Sequence, residues 1–227
     1  MQEKEEPKKV NPIREFLLSA RFAGWCGIIG PLIAFISIGV AILLSPWFNW
    51  YTNALSDLGH PWMLGGSNGV PGTNVAAPVF NGGLSLGGLI TLAVTLWLIW
   101  HHYFERSILG VIASVILTIA VLFLIAIGIF HEGITGIHFA VSVGFFVSVL
   151  LAGMLYGVRL MLEPQRRLWG IIAFLLSLIS ASVWVIYYTI PVLPFTGVAI
   201  PEIISAITAF IWVFPLCIRL ILGKDLI

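Results

Sequence analysis

The sequence predicts an all-α membrane protein: a six-transmembrane-helix bundle with a short outer interfacial helix in its long first loop. Three observations carry this prediction. Of the 227 residues, 59% are hydrophobic and only 9% are charged, whereas soluble domains carry about 25% charged residues. Six apolar runs lie near the length of about 20 residues needed to cross a bilayer. All eleven Lys and Arg residues fall on one side once six spans are drawn. A water-soluble domain of this size has no interior large enough to hide so much apolar surface. Soluble enzymes, nucleic-acid binders, disordered chains and disulfide scaffolds are therefore excluded, and membrane lipids are the expected surroundings.

Residues 1–22 form a charged, proline-containing N-terminal tail of low hydrophobicity. Residues 23–222 form the transmembrane domain, and 223–227 are a short polar end. The first span, 23–44, is too long for a signal-peptide core and has no small-residue cleavage site after it, so it reads as a retained helix. The link that follows, 45–78, is the only long one. Tyr51, Leu55, Leu58 and Trp62 recur there at helical spacing, with Asn53, Asp57 and His60 on the other face. This pattern predicts a helix lying at the membrane surface, anchored by Trp47, Trp50 and Trp62. The stretch Gly65-Gly66-Ser67-Asn68-Gly69-Val70-Pro71-Gly72 is rich in turn formers and predicts irregular chain. Spans then follow at 79–100, 108–130, 137–160, 168–190 and 202–222. Their short links predict antiparallel packing of consecutive helices. Gly24, Gly27 and Gly30, with Gly82-Gly83 and Gly87-Gly88, offer small-residue surfaces for close helix contact. Cys26 and Cys217 lie inside spans and have no metal-type spacing.

Charge sets the expected orientation. The basic residues lie before span one, at Arg106, at Arg159, Arg166 and Arg167, and at Arg219 and Lys224. The positive-inside rule places this side, with both termini, in the cytoplasm of a multi-pass cell-membrane protein. The three arginines at 159, 166 and 167 fix topology and can also meet anionic headgroups. His101 and His102 lie at the same interface, beside Trp100 and Tyr103.

The opposite side holds three acids, Asp57, Glu132 and Glu202, with His60, His131 and His138 and no basic residue. Asp57 and His60 are three residues apart and can share a helix face. Asn81 begins span two, His131 and Glu132 end span three, His138 begins span four, and Glu202 begins span six after Pro201. Ionisable groups at the membrane are costly and tend to face a bundle interior or a watery cavity. Asp57, His60, His131, His138 and Glu202 have the donor chemistry to hold a divalent metal such as Zn²⁺. Asp57, Glu132 and His138 could instead perform acid–base catalysis. Each residue alone also has a plain structural use, capping a helix or bonding the long loop. The spacing HEGITGIH is not a zincin helix, because Gly133 and Gly136 interrupt it.

The motifs, in order, resemble a prokaryotic membrane family known as domain of unknown function 998. They are Gly27-Ile28-Ile29-Gly30-Pro31, Asn53-Ala54-Leu55-Ser56-Asp57-Leu58-Gly59, Phe80-Asn81-Gly82-Gly83-Leu84, Gly128-Ile129-Phe130-His131-Glu132 with His138, and Ile200-Pro201-Glu202. The likeness runs over most of residues 23–220. It departs at His131, where the family pattern has proline. The resemblance implies a six-helix bundle without an established activity and directs attention to Ser56, Asp57, Asn81, Glu132, His138 and Glu202. A fainter likeness to alkaline ceramidase-type hydrolases is an analogy, since those have seven spans and other spacings.

Three function classes remain open at this point: a lipid-directed hydrolase or transferase acting through metal or carboxylate–histidine chemistry, a non-enzymatic accessory or lipid-interacting protein, and a small proton- or cation-coupled transporter. The last lacks any acid or base near the middle of a span.

Overall fold

Six apolar helices dominate the computed structural model, which describes residues 18–66 and 69–223. They are α1 (Ala20–Leu43), α2 (Ala77–Phe104), α3 (Ile108–Ile129), α4 (Thr135–Met161), α5 (Arg167–Thr189) and α6 (Ala199–Ile221). All six are long and apolar enough to cross a bilayer. α1 and α6 each begin three residues before the spans drawn from the sequence. The clearest difference is α2, which continues past residue 100 to Phe104 and stops before Arg106 takes a left-handed backbone conformation (φ 56°). Residues 1–17, with Lys4, Lys8, Lys9 and Arg14 of the expected tail, lie outside the described residues, as do Ser67, Asn68, Lys224 and Asp225.

Local chemistry starts two of the helices. Ser19 caps α1, its hydroxyl oxygen accepting the Phe22 N–H at 3.1 Å. Ser107 does the same for α3 through Gly110 at 3.3 Å. Such caps satisfy N–H groups that have no partner inside the helix.

Each helix packs on its successor, and α6 closes the ring against α1. Because six helices alternate in direction, the first and last described residues lie at one end, here called the terminal end. The three loops after α1, α3 and α5 lie at the distal end. The α1–α2 contact is backbone on backbone at Gly30 and Gly87, where a Cβ on either would meet the other's carbonyl oxygen. Close approach at small residues is how apolar helices gain dispersion contact where lipid removes the hydrophobic drive. Gly82, by contrast, has open space beside it. Hydroxyls add polar links: Ser180 Oγ donates to Ser205 Oγ at 2.9 Å, and the Trp184 indole N–H donates to the same oxygen at 3.0 Å.

The buried apolar side chains form two groups. One, near the terminal end, includes Leu98, Leu117, Tyr156, Trp212 and Leu220. The other, near the distal end, includes Ile38, Leu55, Leu58, Phe80 and Ile127. The second group corrects the expectation for the first loop. No interfacial helix is present among the described residues. The chain instead makes a single 3-10 turn, Leu55–Gly59, that enters the distal mouth of the bundle and packs on α1, α2 and α6. Leu58 is completely buried. The apolar spacing that suggests a surface helix is used inward for Leu55 and Leu58, while Tyr51 and Trp62 remain exposed. After the turn, β1 (Met63–Leu64) pairs antiparallel with β2 (Val70–Pro71), so the glycine-rich stretch is closed by a short ladder.

Candidate functional site

The buried turn needs partners for its backbone, and nearby polar side chains supply them. Asp57 folds back on the start of the turn, where its Oδ2 accepts the Ala54 N–H at 3.1 Å and Asn53 Nδ2 at 2.6 Å. Gly66, with φ +76°, lies against this carboxylate, and any side chain at that position would collide with it. At the other end, Asn74 Nδ2 donates to the Leu58 carbonyl at 3.1 Å, and Asn81 Nδ2 donates to the Gly59 carbonyl at 2.9 Å. Asp57 and Asn81, both expected at a site, therefore build the turn that presents Ser56.

His60 is buried just after the turn, and its Nδ1 accepts the Trp62 N–H at 3.3 Å. Trp62 stands edge-on between the rings of His60 and His131, with centroids at 6.3 and 5.1 Å. Burial lowers the His60 pKa below its usual 6.5, His131 lowers it further, and Asp57 partly opposes both. With the folded value depressed, the unfolded chain binds more protons as pH falls, so stability rises with pH through this window. The contribution is complete above about 6.5 and is lost as pH drops through the folded value. Thermal unfolding followed from about pH 5 to about pH 7 should show a wild-type slope that is reduced in His60→Gln. Parallel curves for the two proteins would rule this contribution out.

Glu202 ties α6 to the same turn. It is buried, and its Oε2 accepts the Leu55 N–H at 2.6 Å. Three backbone bonds reinforce the attachment, from Thr196 and Gly197 to the Tyr51 carbonyl and from Ala199 to the Asn53 carbonyl. The loop before α6 and the first loop thus form one distal layer.

A lateral cavity of ≈ 570 Å³ opens beside this layer. Ser56, Glu132, His138, Ser142 and Glu202 contribute its polar wall, and Phe139, Val143, Phe146, Val147 and Leu150 of α4 line it. Across from them are Ala181, Trp184, Val185 and Tyr188 of α5. Phe139, Val147, Val185 and Tyr188 are exposed, so the cavity opens on the outer flank of the bundle. From His138 to Leu150 the cavity runs about 18 Å along α4 at the helical rise of 1.5 Å per residue. A second cavity of ≈ 150 Å³ lies inside the ring and shares Ser56, Ser142, Phe146 and Glu202 with the first.

The imidazole of His138 is oriented from two sides. Its Nδ1 is 2.7 Å from the Phe130 carbonyl oxygen, and its Nε2 is 3.3 Å from Ser142 Oγ. A carbonyl only accepts, so a neutral His138 carries its proton on Nδ1 and leaves Nε2 free to accept from Ser142. Ser142 escapes a reading of the sequence because serine is ordinary in membrane helices. Its spacing of four from His138 is the one available signal.

The expected distal residues thus divide into two sets. Ser56, Glu132, His138 and Glu202 share a cavity, while Asp57, His60, His131 and Asn81 do not line it. Among the described residues, no three of Asp57, His60, His131, His138 and Glu202 bring ligand atoms within 4.8 Å of one another. The one group that does is at the terminal end: His101, His102 and Glu105.

This terminal-end cluster belongs to a larger ion network. His101 Nε2 is 2.7 Å from Glu105 Oε1. Arg159 lies between two acids, 2.6 Å from Glu163 and 3.8 Å from Glu105, and its Nε donates to Ser107 Oγ at 3.1 Å. Arg166 Nη1 is 3.1 Å from the second Glu163 oxygen. Both arginines are buried. The pairs His101–Glu105 and Arg159–Glu163 are legible as spacings of four and Glu163–Arg166 as a spacing of three, but the meeting of Arg159 with Glu105 is not.

A family model described as a protein of unknown function (DUF998) matches residues 28–219. No curated protein matches the chain, and no solved structure does. The matched region begins in α1 and ends in α6, so it contains the turn, both cavities and every residue of the polar wall. The chain therefore belongs to the DUF998 family, whose function is unknown.

Proposed function

We propose that this membrane protein binds a lipid-like amphiphile that enters sideways from the bilayer, and that the polar wall acts on its headgroup region. The lateral cavity carries this reading: its apolar side chains suit an acyl chain, and Ser56, Glu132, His138 and Glu202 gather at one end of it. Ligand pockets commonly combine an apolar lining with a few polar groups that fix orientation. Asp57, Asn81 and His60 support the site by shaping the turn. The six described arginines all belong to the terminal end, which supports placing that end in the cytoplasm and the polar wall at the outer leaflet. The central cavity is walled mainly by apolar side chains, which favours ligand binding over ion passage.

Binding of a fluorescent lysophospholipid to the full chain in nanodiscs tests the proposal. Val147→Trp fills the cavity flank and should weaken binding about tenfold, or 1.4 kcal/mol. Ile112→Trp, on the exposed face of α3, should leave binding unchanged. Equal binding by wild type and Val147→Trp would overturn the assignment.

A further inference from the structure

We infer that Ser142 and His138 form a nucleophile–base pair for acyl transfer, with an ester lipid in the lateral cavity as the substrate class. The inference rests on the amphiphile-binding reading above and adds a chemistry to it.

Five helix hydroxyls bond the backbone of their own helix, and that of Ser142 does not. Thr91, Ser114, Thr118, Ser177 and Thr189 each donate to the carbonyl one helical turn back. Ser142 instead reaches the imidazole one turn back, at 3.3 Å from Nε2. An activated nucleophile needs a base within hydrogen-bond reach and a third group to orient that base. Here the third group is the Phe130 carbonyl, 2.7 Å from Nδ1. It fixes the tautomer in which Nε2 can take a proton. Phe130 is the C-cap of α3, so this carbonyl lies at the negative end of a helix dipole and favours the imidazolium that forms. Both Ser142 and His138 line the cavity that receives the amphiphile, on the same wall as Ser56.

The step balances with these groups and water. Ser142 Oγ attacks the ester carbonyl carbon as its proton moves to His138 Nε2, and the carbonyl π pair moves to oxygen. The Ser56 hydroxyl is the donor assigned to that oxyanion. Collapse restores the carbonyl and breaks the bond to the alcohol, which leaves with the proton from Nε2. Water then attacks the acylated Ser142, gives a proton to Nε2, and releases the fatty acid as that proton returns to Oγ.

An alkyl fluorophosphonate applied to the full chain in nanodiscs, with peptide mapping of the adduct, tests the pair. Wild type should take one label, on Ser142. Ser142→Ala should take none at that position, and His138→Gln should be labelled about a hundredfold more slowly, within the range for loss of a general base. Thermal unfolding verifies that each variant is folded. Wild-type protein that binds lysophospholipid but takes no label on Ser142 would overturn the pair and leave the binding reading intact, as would equal labelling of folded His138→Gln. Loss of both binding and labelling in folded wild type would overturn both.

Discussion

Glu202→Ala is expected to destabilise the protein by about 2 kcal/mol or more, the cost of a buried backbone donor left without its partner. Leu55 N–H is 2.6 Å from the Glu202 carboxylate inside the bundle, and both residues are buried. The alanine variant also leaves a void beside the two cavities that Glu202 lines. Glu202→Gln keeps an oxygen that can accept the same bond, so its loss should be about 1 kcal/mol or less. Thermal unfolding in detergent, read through the nine tryptophans, distinguishes the two. Alanine and glutamine variants of equal stability would show that the bond does not hold the turn.

The second large effect is at the terminal end. Arg159→Ala should cost about 3 kcal/mol, near the lower end for breaking a buried ion pair by removing one partner. The arginine side chain is only 8% exposed, and its removal leaves Glu105 and Glu163 facing each other with reduced compensation. His101 and Arg166 still pair with these acids, which keeps the loss from being larger. Arg159→Lys should recover only part of the stability, because an ammonium cannot reproduce a fork that serves Glu163, Glu105 and Ser107 together. If this residue served only as a topological charge, lysine would equal arginine in the unfolding curve.

The architecture was legible because hydropathy over a span and the side on which arginines fall are one-dimensional properties. The buried turn was not legible. Asn53 and Asp57 are close in sequence to what they bond, but Asn74, Asn81 and Glu202 are not. Without those partners a polar backbone could not enter the bundle, and a surface helix is the natural expectation. The distal acids and histidines were visible as a set, since they stand out in an apolar chain. Their division was not: Asp57 turns toward its own backbone, while Glu202 lines the cavity. Ser142 could not be singled out, because its role depends on the rotamer that points it at His138 rather than at a carbonyl.

The bond between Leu55 and Glu202 spans 147 residues of chain, which has a bearing on biosynthesis. At ribosomal speeds of about 5–20 residues per second, α6 emerges about 7–30 s after the turn that it must hold. Until then the turn has its contacts with α1 and α2 but lacks the partner of its Leu55 N–H. The nascent protein therefore passes through a stage with α1–α5 made and Glu202 still missing from the polar wall, and the site is complete only once α6 joins. A quality-control step acting on α6 would be acting on the site itself.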